Sequence, residues 1–150
     1  MKYCFCYPIG ICQLWICEED NFITKVSFRK PAEDYKEEET NLIRETIRQI
    51  EEYLDGQRTE FRLPLNPKGT AYQKSVWNAL LNVNYGETRT YKQIAEAIGN
   101  PKSCRAVGMA NNKNPIAIII PCHRIIGSNG ELTGYAGGLD IKEKLLTLER

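Results

Sequence analysis

Residues 116–120 form an apolar run that ends at a proline, a cysteine and the only histidine of the chain. Four of these five residues are isoleucine, so we expect the run to lie in a hydrophobic core. Pro121 lacks a backbone donor and therefore ends any strand or helix at this point. We expect Cys122 and His123 to lie where the buried chain emerges, which makes this stretch the candidate active site.

Cys122 and His123 are a candidate nucleophile and base. A free thiol has a pKa of about 8.5, so only a few per cent is thiolate at neutral pH unless a base or a positive charge assists. His123 and Arg124 could supply both the base and the positive charge. The alternative is a structural cysteine with an accidental neighbour, because six cysteines and one histidine give such an adjacency by chance about one time in twelve.

The composition is that of a globular chain, with 150 residues of which 42% are hydrophobic and 26% charged. This length suffices for one domain or two small ones. Lys2, Pro8, Gly10 and Gln13 interrupt the apolar N-terminus, and no small-residue cleavage site follows, so we expect neither a signal peptide nor a membrane span. We predict a cytoplasmic protein, in which an even number of cysteines says nothing about disulfides.

The net charge of +1 is unevenly distributed along the chain. Residues 1–66 hold 9 Lys and Arg against 13 Asp and Glu, a net charge of −4. Residues 67–150 hold 11 Lys and Arg against 6 Asp and Glu, a net charge of +5. The C-terminal part is therefore the candidate binder of a polyanion, with a modest electrostatic contribution.

The N-terminal part predicts a small sheet with one helix. Residues 3–6, 11–17 and 22–28 are rich in β-branched and aromatic residues and are separated by turn residues, which indicates an antiparallel meander. The acidic run 33–39 is expected to be a solvated loop, and residues 42–54 have apolar positions at helical spacing. Residues 59–63 are predicted as a last strand and residues 64–69 as a linker. The predicted domains are therefore 1–66 and 67–150.

Four cysteines of the N-terminal part, Cys4, Cys6, Cys12 and Cys17, permit a zinc interpretation. On strands, however, Cys4 and Cys6 share a face while Cys12 and Cys17 point to opposite faces, and tetrahedral zinc needs four converging ligands. We therefore expect no metal and interpret these cysteines as small hydrophobic side chains, although the pattern does not exclude zinc.

The C-terminal part predicts four helices. Thr70 with Gln73 and Thr90 with Gln93 form capping boxes that start helices at 71–82 and 91–98. After Gly99 the chain turns, and Asn100 as a cap with Pro101 at the first position predicts a third helix to about residue 111. The predicted order of a helix, a turn and a second helix is typical of a helix-turn-helix or of an ordinary helical hairpin. Asp140 and Glu143 are expected to cap the final helix.

Glu149 is an unusual residue for the last turn of a helix, because its charge opposes the helix dipole. Leu145 and Leu146, four and three residues earlier, place it on the core side. A charge in that position needs a partner.

These segments resemble the methylated-DNA protein-cysteine methyltransferases, the O6-alkylguanine repair proteins. The run Ile-Pro-Cys-His-Arg-Ile-Ile at 120–126 is similar to the alkyl-acceptor motif of that family. The resemblance covers about the last 85 residues, and the N-terminal third is similar only in general layout. Further matching segments lie at 69–73, 76–77, 85–88, 90–91, 99–102, 105–108, 114–115, 134–139, 142–143, 145–146 and 149.

The resemblance implies an α/β protein with a small ribonuclease H-like N-terminal domain of sheet and helix. A mostly helical, winged-helix-like domain with a helix-turn-helix follows it. The implied activity is DNA repair by a single, irreversible transfer of the alkyl group from O6-alkylguanine in duplex DNA to Cys122, with O4-alkylthymine as a further candidate substrate. Extrusion of the nucleotide is required, because the O6 atom lies inside the duplex. No cofactor and no metal are implied, and a monomer is expected.

The resemblance also implies roles for individual residues. Glu149 orients His123, which draws the proton from Cys122 through a water, and Tyr135 helps the guanine to leave. Backbone around Ala136 and Gly137 binds O6, although some members carry serine in place of Ala136, which removes a hydroxyl group from the site. The residues that complete the pocket are Pro121 and Ile125, and those implied in DNA binding and base flipping are Tyr91, Arg105, Ala106, Gly108 and Asn114.

Without the resemblance, these residues have simpler interpretations. Tyr91 is then an aromatic residue at a helix start, Gly108 serves tight helix packing, Asn114 marks a turn and residues 133–138 form a surface loop. A cysteine hydrolase built on Cys122, His123 and Glu149 is the competing enzyme class, and it would turn over repeatedly. A lesion-binding relative without enzymatic activity is the third hypothesis, and the presence of Cys122 argues against it.

Overall fold

A computed structural model describes residues 1–10 and 12–150 and divides into two compact units. One unit consists of Met1–Lys68 with Pro115–Ile119, and the other consists of Gly69–Asn114 with Ile120–Arg150. A single boundary near residue 66 does not describe the segment Pro115–Ile119, which belongs to the first unit.

The first unit contains a four-stranded sheet and one helix. Its strands are β1 (Lys2–Ile9), β2 (Cys12–Glu19), β3 (Phe22–Ser27) and β4 (Lys36–Glu37), in the order β3-β2-β1-β4. The predicted antiparallel meander is confirmed, and the two-residue turn between β2 and β3 is formed by Asp20 and Asn21 with positive φ, a conformation that these residue types tolerate. Ile11 of the predicted second strand lies outside the described residues.

Two predictions for this unit are wrong. Residues 36–37 of the acidic run form β4, which pairs parallel to β1, instead of lying in a solvated loop throughout. Residues 59–63 form no strand, and only Leu65 makes a bridge, to Ile23. Pro64 accepts a hydrogen bond from the Ile23 amide but cannot donate one, so the ladder does not extend through it.

Helix α1 (Asn41–Leu54) is amphipathic and begins one residue before the predicted start at residue 42. The Thr40 side chain accepts a hydrogen bond from the Ile43 amide and caps the first turn. The core face of the helix buries Ile43, Thr46, Ile47, Gln49, Ile50 and Tyr53.

Cys4 and Cys17 lie directly opposite each other on β1 and β2 and are joined by a disulfide. The sequence did not predict this bond, because the pairing of two strands sets which cysteines meet. Cys6 and Cys12 take no part in this disulfide and are partly exposed. Within residues 1–10 and 12–150, no group of three or more His, Cys, Asp or Glu side chains is arranged to hold a metal ion.

The isoleucine run is buried, as predicted, but it is not a regular strand. The Val26 amide donates to the carbonyl of Pro115 (2.9 Å), and the Ala117 amide donates to the carbonyl of Val26 (2.9 Å). Ile118 then has a φ of 72°, and the Ile119 amide bonds to the Ala117 carbonyl across it (2.8 Å). The segment is therefore a bridge followed by a tight turn.

The second unit contains helices α2 (Ala71–Leu81), α3 (Tyr91–Ala97), α4 (Cys104–Asn112) and α5 (Leu139–Leu148). Strands β5 (Arg89–Thr90) and β6 (Ile125–Ile126) form a small parallel pair, and Cys122–Arg124 forms a 3-10 turn. Both predicted capping boxes are present, at Thr70 with Gln73 and at Thr90 with Gln93. Helices α3 and α4 with their connecting turn form the helix-turn-helix.

Two predicted helix starts are wrong. Helix α4 begins at Cys104, because residues 101–102 belong to a turn in which the Ser103 amide bonds to the Asn100 carbonyl (3.1 Å). Helix α5 follows Gly138, whose φ of 96° favours glycine, so Asp140 lies within the first turn and does not cap it with Glu143. Among the described residues no helix combines the length and apolar character needed to cross a membrane.

Trp77 provides a test of the packing between α2 and α4. Its indole Nε1 donates to the buried carbonyl of Ala110 (2.9 Å). Trp77→Phe removes this donor and some volume, so the free energy of unfolding should fall by about 2 kcal/mol in urea titrations. Trp15→Phe is the matched control, because the Trp15 Nε1 is buried without an acceptor among the described residues. Equal losses in the two variants would contradict the importance of this hydrogen bond.

Candidate active site

Cys122 lies at the start of the 3-10 turn, and the backbone of Pro121 sets its position. The Cys122 amide donates to the Ile120 carbonyl across Pro121 (2.7 Å), and the Arg124 amide donates to the Pro121 carbonyl (3.0 Å). The Cys122 residue is only 6% exposed. The prediction that the chain emerges here is wrong, since every residue from 116 to 125 is buried.

The structure brings His123 and Glu149 together. His123 Nε2 and Glu149 Oε2 are 2.8 Å apart, and both side chains are almost fully buried. Glu149 is the C-terminal cap residue of α5, with its amide bonded to the Leu145 carbonyl. The last turn of α5 thus carries a carboxylate to the ring of the histidine beside Cys122.

Arg124 is the second partner of the same carboxylate, and the sequence did not place it there. Its Nε donates to Glu149 Oε1 (2.8 Å) and its Nη2 to Oε2 (3.0 Å), which is a bidentate pair. Its Nη1 donates to the Val83 carbonyl (2.7 Å), and the Gly86 amide also donates to Glu149 Oε1 (3.2 Å). Arg124 therefore neutralises Glu149 instead of assisting the thiol directly.

This environment keeps His123 neutral. Burial lowers the pKa of His123 and outweighs the hydrogen bond and charge of Glu149, which raise it. With Glu149 ionised by its pairing to Arg124, His123 Nε2 is assigned as the proton carrier that donates to the carboxylate. The lone pair of the imidazole then lies on Nδ1, which gives the ring a basic nitrogen on its other side.

Opposing effects act on the thiol of Cys122. Burial raises the pKa of Cys122, while a hydrogen bond from the Asn114 side chain and the charge of Lys142 lower it. Asn114 Nδ2 also donates to the Ile120 carbonyl (2.9 Å), and Asn111 Nδ2 donates to the Cys122 carbonyl (3.4 Å). The end of α4 is thereby bonded to the chain on both sides of Pro121.

Lys142 is a site residue that the sequence-based prediction missed. It is completely buried, and its Nζ donates to the Thr133 carbonyl (3.1 Å). Burial lowers the pKa of Lys142, whereas the nearby Cys122 raises it. The sequence spacing could have identified Lys142, because it lies three and four residues before Leu145 and Leu146. It thus shares the helix face that identified Glu149.

The remaining pocket candidates differ in burial. Pro121, which precedes Cys122, and Ile125, which follows the 3-10 turn, are both buried. In loop 133–138, Tyr135 is half-buried, Ala136 is exposed and Gly137 is half-buried. The Gly138 amide closes the loop onto the Tyr135 carbonyl (2.9 Å).

The candidates for DNA binding lie on the helix-turn-helix. Arg105 and Ala106 are exposed on α4, as is Met109, which is 68% exposed. Gly108 faces Tyr91 at the start of α3, and a Cβ added to this glycine would lie 3.6 Å from the tyrosine ring. Such a Cβ would make only an ordinary van der Waals contact, so packing against Tyr91 does not by itself require glycine at position 108.

The fold and the site define a protein that joins a helix-turn-helix to a buried thiol, followed in the chain by a histidine that a buried carboxylate holds. Comparisons with known proteins identify its family. Residues 71–150 match the model of the 6-O-methylguanine DNA methyltransferase DNA binding domain, and residues 3–67 match the model of its ribonuclease-like domain. The chain therefore belongs to the 6-O-methylguanine DNA methyltransferase family. This result confirms the family resemblance and the α/β fold predicted from the sequence.

Individual relatives agree with the family models. The chain is 63% identical to a methylated-DNA–protein-cysteine methyltransferase of Methanosarcina acetivorans over 112 residues, which cover 75% of this chain and 72% of the relative. It is 44% identical to the constitutive enzyme of that name in Bacillus subtilis over 152 residues, which cover 95% and 91%. The crystal structure of Mycobacterium tuberculosis OGT in complex with DNA matches with a TM-score of 0.92 and 40% identity, covering 98% of this chain and 92% of that one.

The lowered pKa of His123 predicts a pH dependence of stability. The unfolded chain binds a proton below the ordinary histidine pKa of about 6.5, while the folded protein does not until a lower pH. The contribution of His123 to the free energy of unfolding should therefore be constant above about pH 6.5. It should fall as the pH drops below this value, by at most about 1.4 kcal/mol per pH unit.

Urea titrations between pH 7 and pH 5 measure this effect, and His123 is the only histidine that can contribute. The control is His123→Gln, whose stability should vary much less over this range. If the wild-type protein is as insensitive to pH as the variant, the pKa of His123 is not lowered.

Proposed function

We propose that this protein repairs O6-alkylguanine in duplex DNA by moving the alkyl group, in one displacement, to the sulfur of Cys122. The observation that carries the proposal is the buried thiol beside a neutral histidine whose other nitrogen is held by a buried carboxylate. Relatives named methylated-DNA–protein-cysteine methyltransferase, including one that aligns over 95% of this chain, support this activity.

In the proposed mechanism, His123 removes the proton of Cys122 through a water. Nδ1 is the accepting nitrogen, and Glu149 stabilises the imidazolium that forms. The thiolate is stabilised by the Asn114 side chain, by the charge of Lys142 and by a backbone hydrogen bond, the three influences that oppose its burial. Because burial raises the pKa of Cys122, the thiol stays largely protonated in the free protein.

The chemical step replaces one single bond by another. The sulfur forms a bond to the alkyl carbon while the bond from that carbon to O6 breaks, and its electron pair stays with guanine. Tyr135 donates a hydrogen bond to the leaving guanine, and backbone near Ala136 and Gly137 contacts O6. Pro121 and Ile125 provide apolar walls for the alkyl group. O4-alkylthymine is a further candidate substrate, because it presents an alkylated oxygen in a similar position.

The DNA step uses the exposed face of α4. The alkylated oxygen lies inside a duplex, so the nucleotide must rotate out before a buried sulfur can reach it. Arg105 projects from the first turn of α4 and fills the gap, Ala106 and Gly108 allow close approach, and Tyr91 crowds the phosphate of the target nucleotide. A relative solved with DNA supports the choice of partner.

A single chain supplies every group named in this proposal, so we propose that the protein acts as a monomer. We further propose that it acts in the cytoplasm, where the chromosome of a cell without a nucleus is located.

The proposal predicts that each molecule acts once. The product is a thioether, which has no carbonyl for water to attack, so repair of excess methylated duplex should stop at about one alkyl group per protein. Mass spectrometry should place one added methyl group on the peptide with Cys122, and Cys122→Ser should abolish transfer while retaining DNA binding. Turnover beyond one alkyl group per protein would favour the cysteine hydrolase instead.

Arg105→Ala should slow repair of duplex DNA by about tenfold or more, because loss of the gap-filling group raises the energy of the extruded state by one or more kcal/mol. Reaction with free O6-alkylguanine base should be almost unchanged, because the base needs no extrusion. Lys113→Ala is the charge-matched control, since Lys113 is exposed at the other end of α4. Equal slowing of both reactions by Arg105→Ala would remove Arg105 from this role.

A further inference from the structure

We infer that Thr133 is a positioning residue for the alkyl transfer, an inference that rests on the proposed function. Thr133 is the first residue of loop 133–138, which carries Tyr135. Two hydrogen bonds fix it, one through its side chain and one through its backbone. We propose that its hydroxyl group, bonded to Tyr91, holds this loop in the conformation that reacts.

The side-chain bond joins the hydroxyl groups of Thr133 and Tyr91, residues that are 42 positions apart in the sequence. Both residues are half-buried. Tyr91 is itself held at the start of α3, where Thr90 caps the helix and the tyrosine ring lies against Gly108 of α4. The loop is therefore attached to the rigid part of the helix-turn-helix.

The backbone bond joins the Thr133 carbonyl to the Nζ of Lys142 (3.1 Å). Lys142 is completely buried, so its charge strongly favours keeping this acceptor. Thr133 is thus bonded to α3 by its side chain and to α5 by its backbone. Helix α5 directly follows the loop in the sequence, whereas α4, the 3-10 turn and β6 separate α3 from it.

The loop needs such anchors because glycine occupies three of its six positions, at 134, 137 and 138. Glycine has the largest conformational freedom of any residue, so a loop of this composition is ordered only by specific bonds. The bond from the Gly138 amide to the Tyr135 carbonyl orders its second half. Thr133 orders its first half, and Tyr135 lies between the two.

The bond to Thr133 is compatible with the proposed contact of Tyr91 with a DNA phosphate. A phenol is both a donor and an acceptor. If Thr133 donates its proton to the Tyr91 oxygen, the proton of Tyr91 remains available for a phosphate oxygen. The same tyrosine can therefore contact DNA and hold the loop.

The test uses O6-methylguanine as a free base, because that reaction involves no contact between Tyr91 and DNA. Thr133→Val keeps the shape of the side chain but removes the hydroxyl, and it should slow alkylation of Cys122 by about three- to tenfold, the range expected for one lost hydrogen bond. Thr133→Ser restores the hydroxyl and should react at close to the wild-type rate. The affinity of Thr133→Val for undamaged duplex should be unchanged.

Tyr91→Phe and the double variant make the test specific for the bond. Because both single changes remove the same interaction, Tyr91→Phe should slow the free-base reaction by the same factor, and the double variant should be no slower than either. Rates are compared well below the unfolding temperature of each variant, so a general loss of stability would not produce this pattern.

Wild-type rates in Thr133→Val, or effects that multiply in the double variant, would overturn the role of Thr133. Failure of the proposed function itself looks different, because the wild-type protein would then gain no methyl group on Cys122.

Discussion

The pairing of the buried Glu149 carboxylate is the interaction on which the second unit depends. A buried carboxylate is tolerated only when it is paired and hydrogen-bonded, and four donors surround this one, from His123, the two guanidinium nitrogens of Arg124 and the Gly86 amide. These donors come from the 3-10 turn and from the loop after α2, while Glu149 itself ends α5. One charge therefore joins three parts of the chain, and the bidentate pairing with Arg124 keeps it ionised.

The state of the histidine follows from this arrangement. Burial lowers the pKa of His123 and outweighs the hydrogen bond and charge of Glu149, and the charge of Arg124 lowers this pKa further, so the ring stays neutral. A carboxylate without Arg124 would favour the imidazolium, which has no lone pair to accept a proton. The thiol shows a similar balance, because burial opposes its ionisation while Asn114 and Lys142 favour it. The thiol therefore stays largely protonated, which limits side reactions of a thiolate before substrate is bound.

Local patterns predicted much of this structure, and contacts between distant residues account for most of what they missed. Thr90 and Gln93 form the capping box that the sequence indicates, because such a box depends on four consecutive residues. The face of α5 identified Glu149 from its spacing to Leu145 and Leu146. In contrast, Arg124 contacts Val83 and Glu149, which are 41 and 25 positions away, and the disulfide of Cys4 depends on strand register. Pro101 shows a different limit, since a residue suited to a first helical turn is equally suited to the turn that precedes α4.

The isoleucine run and Pro121 show how the backbone before Cys122 is held. Ile118 has a φ of 72°, a conformation that disfavours a β-branched residue and persists only when its surroundings enforce it. Backbone bonds to Val26 hold the segment just before it, and the side chain of Asn114 bonds to Ile120 just after it. Pro121 then removes one more degree of freedom, because its ring fixes φ. Within the second unit, the bond from Asn114 to Ile120 and the fixed φ of Pro121 therefore constrain the backbone that leads into Cys122. Such a constraint suits the proposed displacement, which requires alignment of the sulfur with the breaking bond.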